Sequence, residues 1–376
     1  MAGIGPGPFA GMLLADMGAE VIRVDRPGGG NMGATDNPAD VMQRGRRSIA
    51  INLKNEAGVE TVLKLIESAD VVTEGYRPGV MEKLGLGPEL CLARNPKLIF
   101  ARMTGWGQDG PLSHAAGHDI NYIAITGALA SIGNKESGPV PPLNLIGDFG
   151  GGSLYLIMGI LAALYERNNS AKGQVIDVAI TDGVISLMAA IQGLEGVGVW
   201  DGDARQSNML DGGAHYYDTY ECADGEWVSI GSIEPQFYAL LAEKLELPEL
   251  LDENGKADFA AQFDKAQWPI HKENIAARMR TKTRAQWCEI MEGTDVCFAP
   301  VLTMREAPEH PHNRARGSFV EVGGHTQTAP APRFSRTASE VGCHPVSPGT
   351  DTDSILTELG LDADRIDALR TEGAVS

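Results

Sequence analysis

Aromatic residues make up only 6% of the chain, cysteines number five, and basic residues are outweighed, with 31 Lys and Arg against 50 Asp and Glu for a net charge of −19. Each shortage excludes something. An acidic chain is poorly suited to neutralising a phosphate backbone, so no nucleic acid is expected as a partner. The cysteines (Cys91, Cys222, Cys288, Cys297 and Cys343) are scattered, odd in number and without C-x-x-C spacing. That argues against a disulfide framework or structural zinc, and for a reducing compartment, here the cytoplasm. The eight histidines offer no H-E-x-x-H, and His310 and His312 sit in a Pro-rich stretch that reads as a solvated loop. No metal is expected. The longest nearly unbroken apolar run, residues 154–165, is too short to cross a bilayer, and no basic stretch precedes an apolar one at the N-terminus. Neither a membrane protein nor a secreted one is expected.

What is present is the composition of a globular enzyme-sized chain, 376 residues of which 43% are apolar and 22% charged, enough for two or three domains. Charge is unevenly spread. Residues 1–107 hold 12 basic and 12 acidic residues, so the whole excess of negative charge arises later. Basic residues gathered in an acidic protein suggest an anion site, although a chance arrangement of solvated charges fits the count equally well.

The first half alternates between two periods. Short apolar runs at residues 20–25, 48–53, 70–73, 98–103 and 174–180 read as strands, and segments 8–17, 56–69, 118–131 and 151–167 as helices. Alternation of this kind means a parallel α/β sheet with helices on both faces. After about residue 210 the texture changes: residues 216–221 and 226–230 flank the turn Cys222-Ala223-Asp224-Gly225 as a hairpin. Helices near 234–245, 269–281 and 283–292 and a strand at 297–302 complete a smaller α+β domain. The expected division is a large domain over 1–185, a linker over 186–212, the small domain over 213–305, a second linker over 306–328 and a C-terminal segment over 329–376.

Four motifs could carry chemistry. GIGPGP at residues 3–8 imitates a dinucleotide fingerprint but has Pro8 where the third glycine belongs and no preceding strand, so it reads as a tight turn into a helix. GDFGGGS at 147–153 runs into a helix. Its glycines would let a ligand approach the backbone, free N–H groups at the helix start would favour negative charge, and Asp148 would face the ligand. The alternative is that Asp148 is an N-cap and the glycines allow close helix packing. His118 of GHDINY stands at a helix start after a Gly-rich loop and suits proton transfer, although a lone histidine is more often structural. Glu234 of IEPQFY, taken alone, reads as a helix cap.

The runs RMTGWGQDGP, AGHDINYIA, PPLNLIGDFGGGS, SAKGQVIDVAITDG, NMLDGGAHYYDTYECADG, IEPQFY and PAPRFSRTAS together resemble the α-methylacyl-CoA racemases of the family III CoA-transferase superfamily, in order and over essentially the whole chain. The resemblance implies a Rossmann-like large domain and a small domain in two chains interlocked as a homodimer. It also implies a C-terminal segment that returns to the large domain, and an active site shared between protomers. It implies that His118 and Asp148 are the two proton-transferring residues and that Glu234 of the partner assists the histidine. CoA contacts would come from Arg26, Lys54, Arg77, Lys83 and Tyr122; Lys83 stands where the family has Arg, keeping charge but losing the bidentate fork. The implied substrates are 2-methyl-branched acyl-CoA thioesters of lipid metabolism, racemised through an enolate without any cofactor. A CoA transferase using Asp148 as covalent nucleophile, and a non-catalytic acyl-CoA-binding protein, are the competing readings. Members of the family carry roughly ten more residues before GIGPGP, the length of a buried strand, so the first strand of the large domain is expected to be missing from the chain as it stands.

Overall fold

Apolar residues of period 2 and period 3.6 take turns along the first unit, and the computed structural model, which describes residues 1–29 and 36–376, shows what they build. The chain divides into two compact units, one of Met1–Thr126, Leu143–Leu187 and His312–Ser376, the other of Gly127–Pro142 and Met188–Pro311.

In the first unit, helix α1 (Pro6–Asp16) opens with Pro in its first turn after Gly5, whose φ of 68° admits only glycine without strain. Strands β1 (Val21–Asp25) and β2 (Arg46–Ala50) pair in parallel, followed by helix α2 (Glu56–Ser68), whose Asn55 cap accepts from Ala57 N. Strands β3 (Val71–Glu74), β4 (Ile99–Thr104) and β5 (Gln174–Ala179) form a second parallel set in the order β3-β4-β5. Between β1 and β3, Ala2 N donates to Val24 O at 3.0 Å and the Met1 amine to Thr73 O at 2.8 Å. The parallel α/β sheet expected from the alternation is therefore present.

Strand β4 shows how the sheet separates two cores. Leu98 and Phe100 face a cluster with Val62, Leu63 and Ile66 of α2, whereas Ala101 and Met103 face Ala10 of α1 and Leu156, Ile157 and Ile160. Successive side chains of a strand point to opposite faces, so one strand floors both layers. The C-terminal residues complete the first core: Ile355, Leu356, Ile366 and Leu369 join it. Asp351 accepts from Ser48 N at 2.8 Å and Asn52 N donates to Ala374 O at 2.8 Å.

Two helices differ from the sequence expectation. The segment 118–131 is not one helix. Helix α3 (Asp119–Ala124) ends before Gly127, whose φ of 85° breaks the winding, and Ala128–Ser131 restarts in the second unit. Conversely, the helix expected at 151–167 begins six residues earlier. Helix α4 runs over Leu145–Ser170, its residues Leu145–Leu154 wound as a π-helix. The apolar run read as too short for a bilayer thus lies in a helix long and apolar enough to cross one by length and composition. The core helix of a folded domain passes the same test, and the Leu156, Ile157 and Ile160 face of α4 packs on the sheet.

The glycines of α4 admit helix α5 (Ile180–Leu187) at backbone distance. A Cβ on Gly183 would lie 2.0 Å from Gly151 O, and one on Gly151 would lie 2.7 Å from Val184 Cγ2. Of the two readings of the GGG run, close helix packing is the one realised at Gly151.

In the second unit, β6 (Tyr217–Glu221), β7 (Trp227–Gly231) and β8 (Phe298–Pro300) form an antiparallel sheet with β7 central. Helix α6 (Pro235–Leu245) and the helices Trp268–Met279 and Arg284–Met291 cover it around Tyr216, Tyr238, Trp268 and Trp287. Two segments depart from the expected division. Residues 127–142 join this unit rather than the large domain, because Arg205 donates to Ala130 O at 3.0 Å and Gln206 accepts from Lys135 N at 3.3 Å. The stretch expected as a linker at 186–212 contains the helix Ala189–Gly196 and an Asn208–Asp211 hydrogen-bonded turn.

Gly183→Ala is expected to lower stability by roughly 1–3 kcal/mol, the cost of overpacking a closed contact. Gly193→Ala, where a Cβ meets nothing within 4 Å, is expected to leave stability unchanged or raise it slightly. Denaturant melts of both variants beside the parent check the contact, and equal midpoints would refute it.

Candidate active site

An open parallel sheet leaves room for a ligand beyond the carboxyl ends of its strands. Arg26 follows β1, Lys54 follows β2 closely, Arg77 follows β3, and Gly105-Trp106 follows β4. The loops after β3 and β4, with the chain from Ser113 to Tyr122, line a cavity of about 410 Å³. Arg77, His118 and Tyr122 all line it.

The cavity walls are held by packing that only glycine permits. The Tyr122 ring stands edge-on to Trp106 with centroids 4.8 Å apart, and a Cβ on Gly105 would lie 2.0 Å from that ring. The Tyr122 hydroxyl donates to Gly117 O, so the ring is the larger surface it offers to a ligand. The β3 loop is set from below: Tyr76 N donates to Glu74 Oε2 at 2.7 Å, and buried Glu74 pairs with Arg102, which also reaches Glu82. Burial pushes the Glu74 carboxyl up and the Arg102 bond pulls it back down.

His118 is the N-cap residue of α3 and is exposed; Asn121 Oδ1 accepts from its backbone N–H at 3.1 Å. Asp148 is not an N-cap. It sits inside the first turn of α4, half-buried, with Asn144 donating to its Oδ2 at 3.4 Å. Because the helix starts at Leu145, the amides of Gly150–Gly152 lie within the helix and are not the free N–H groups of a helix start. The Asp148 amide is taken as well, donating to Asp119 Oδ1 at 2.7 Å. Gly5 reaches the same place from the N-terminal loop, where a Cβ would lie 3.5 Å from Asp148 Oδ2. Burial raises the Asp148 carboxyl above the usual aspartate range. The Asn144 bond lowers it, the charge of Asp119 raises it, and the charge of His118 lowers it. The charge of His118 therefore reaches the Asp148 carboxyl.

Asp148 and the remaining predicted residues are not among those lining this cavity. Arg26 is exposed and acts on Tyr76, whose phenol it pulls down against a larger upward push from burial. Lys54 and Lys83 are exposed, the latter in the helical turn Val80–Lys83. Glu234 belongs to the second unit, at the N-cap position of α6. Its side chain makes no capping bond, contrary to its reading as a cap; Pro235 follows and has no N–H to satisfy. Sequence reasoning gave no role to Trp106, Glu74, Arg102 or Asp119. For Asp119 the available signal was its place beside His118, but its partner lies 29 residues away. Among the described residues, no group of three or more His, Cys, Asp or Glu could hold a metal ion.

A parallel α/β unit with a cavity at its strand ends, lined by Arg77 and His118, describes a broad class of enzymes, and comparison with known proteins narrows it. The pattern of CoA-transferase family III matches residues 1–353, and the chain belongs to this family. It is 45% identical to the α-methylacyl-CoA racemase of Mus musculus over 100% of this chain and 95% of that one. It is 41% identical to the α-methylacyl-CoA racemase of Homo sapiens, over 99% and 94%. The succinyl-CoA:glutarate CoA-transferase of Mus musculus is 30% identical over 98% of this chain and 87% of its own length. Among solved structures, a CaiB/BaiF family protein from Brucella suis matches with a TM-score of 0.78 at 26% identity, covering 96% of this chain and 97% of that one.

A carboxyl raised by its surroundings makes stability depend on pH. As pH climbs past the ordinary aspartate value of 3.8, the unfolded chain ionises at Asp148 first, so stability falls until the folded carboxyl has ionised too. Asp148→Asn escapes that loss. It is expected to melt roughly one to three degrees above the parent at pH 7, with the difference vanishing near pH 3; calorimetry at both pH values checks this.

Proposed function

We propose that this protein is an α-methylacyl-CoA racemase that interconverts the (R) and (S) forms of 2-methyl-branched acyl-CoA thioesters. The observation that carries the reading is that His118 lines the cavity and its neighbour Asp119 holds the backbone amide of Asp148, in a chain 45% identical to a named racemase over its whole length. Inverting a carbon next to a thioester requires removal of its weakly acidic proton and delivery of another to the opposite face. One base must start empty and the other loaded. A carboxyl pushed upward by burial and an imidazole are suited to exchanging those roles. Only protons move and no oxidation state changes, so the chemistry calls for no electron carrier; CoA enters as part of the substrate.

In this reading Arg26, Lys54, Arg77 and Lys83 supply positive charge for the CoA phosphates, and the Tyr122 ring lies along the bound molecule. Glu234 of the second protomer of a homodimer orients His118 and stabilises its imidazolium. Self-association is supported by an uncovered apolar stripe on α4: Leu154, Met158, Leu161 and Tyr165, at helical spacing, are 51%, 58%, 49% and 75% exposed. Five free cysteines suit a reducing compartment such as the cytoplasm.

The test is to incubate each enantiomer in deuterated water. Interconversion with α-proton exchange is expected, and Asp148→Asn or His118→Ala should each lower turnover roughly 10²–10⁴-fold. Movement of CoA between carboxylic acids, with hydroxylamine trapping an acyl group on Asp148, would instead establish a transferase like the 30%-identical relative. Binding without turnover would leave only an acyl-CoA-binding protein.

The shared site has its own consequence. Inactive Asp148→Asn and Glu234→Ala chains, co-expressed and purified as hybrid dimers, should regain activity, because one site per dimer then has both intact residues. Hybrids as inactive as their parents would remove Glu234 from the partner's site.

A further inference from the structure

One carboxylate beside the two bases has no task in the reaction as drawn. Asp119, the first residue of α3, is 8% exposed, and its Oδ1 accepts from Asp148 N at 2.7 Å. The amide of Gly147 donates to it as well. Both partners are backbone N–H groups in the first turn of α4, which have no intrahelical acceptor of their own. The carboxylate of one helix thus caps the start of another. Gly147 marks the closeness of the contact, since a Cβ there would lie 2.2 Å from Asp119 Oδ1.

We infer that Asp119 is a positioning residue of the proton relay, holding the helix turn that carries Asp148 to the helix start that carries His118. Asp119 follows His118 directly and grips Asp148 through its own amide, so the two bases are joined by one residue and one hydrogen bond. A shift of either helix changes the reach of both bases to the same carbon, and small misplacements in acid–base sites carry large rate penalties. The inference rests on the racemase reading of this site.

Its charge adds a second effect. Asn144, Asp119, His118 and Tyr122 are the polar groups that face or sense Asp148 from the elements around it. Of these Asp119 opposes ionisation of Asp148 and His118 favours it. Removing the Asp119 charge should therefore let Asp148 ionise at lower pH, a response that a merely structural residue would not produce.

The experiment compares Asp119→Asn with Gly147→Ala in the full-length protein, each checked for its melting temperature. Asp119→Asn keeps the shape and removes the charge. We expect kcat to fall roughly 10- to 100-fold, KM for the acyl-CoA to change less than about twofold, and the Asp148 limb of the pH profile to move down by about half a unit or more. Gly147→Ala forces the carboxylate off the amides while leaving its charge, so kcat should fall with a smaller displacement of that limb. A folded Asp119→Asn enzyme with the parent's kcat and pH profile overturns the inference. So does a fall in melting temperature and kcat together with an unmoved limb in both variants. If the parent protein neither interconverts the enantiomers nor exchanges the α-proton, the racemase assignment fails. If Asp148→Asn is inactive and Asp119→Asn behaves as the parent, only the present inference fails.

Discussion

The contact between Gly151 and Gly183 sets the position of the helix that carries Asp148. A Cβ on Gly183 would lie 2.0 Å from Gly151 O, so α4 and α5 meet backbone against backbone. The first ten residues of α4 take the wider π winding along this contact. That winding leads the chain from a sheet-packing face to Asp148, which sits near Gly5 and beside Asp119. The sheet supplies the floor, but the glycine contact decides where on that floor the carboxylate stands.

The site economises on side chains. Glycine at 105 and 117 lets Tyr122 and Trp106 fold against the backbone, and glycine at 147 lets Asp119 reach two amides. Charges that would otherwise wander are tied down, as where buried Glu74 and Arg102 pair beneath the Arg77 loop and Arg102 reaches out to exposed Glu82. The exposed basic residues at the strand ends are left free to meet a ligand. In the proposed reading, a half-buried base and a solvated cationic rim suit a substrate whose reacting carbon is small and whose carrier is long and anionic.

Much of the sheet was legible because buried strands write themselves as short apolar runs, and residues 98–103 differ from β4 by one position at each end. Helix limits were harder where glycine has two meanings. Gly127 does stop a helix, yet the glycines at 150–152 lie within one, and reading their run as the helix start placed that start six residues too late and left Asp148 outside the helix. His118 and Asp148 were visible as ionisable groups beside Gly-rich turns. The contact that joins Asp119 to Asp148 was not, because 28 residues lie between them in the chain. Glu234 showed the opposite limitation: local pattern named it a cap, resemblance gave it chemistry, and the carboxylate in fact forms no capping bond.

The π-wound turns of α4 also act as an angular offset. An α-helix advances about 100° per residue, and a π turn arises when one extra residue is accommodated without moving the helix ends. Deleting a single glycine from the run at 150–152 would let α4 rewind as an ordinary helix on the same apolar face. Asp148 would then swing away from the cavity by about that angle. The apolar face of α4 would keep its place on the sheet while Asp148 left its place beside Asp119. In evolutionary terms, two settings of this carboxylate stand one codon from each other, and the length of the glycine run is the character to compare among relatives.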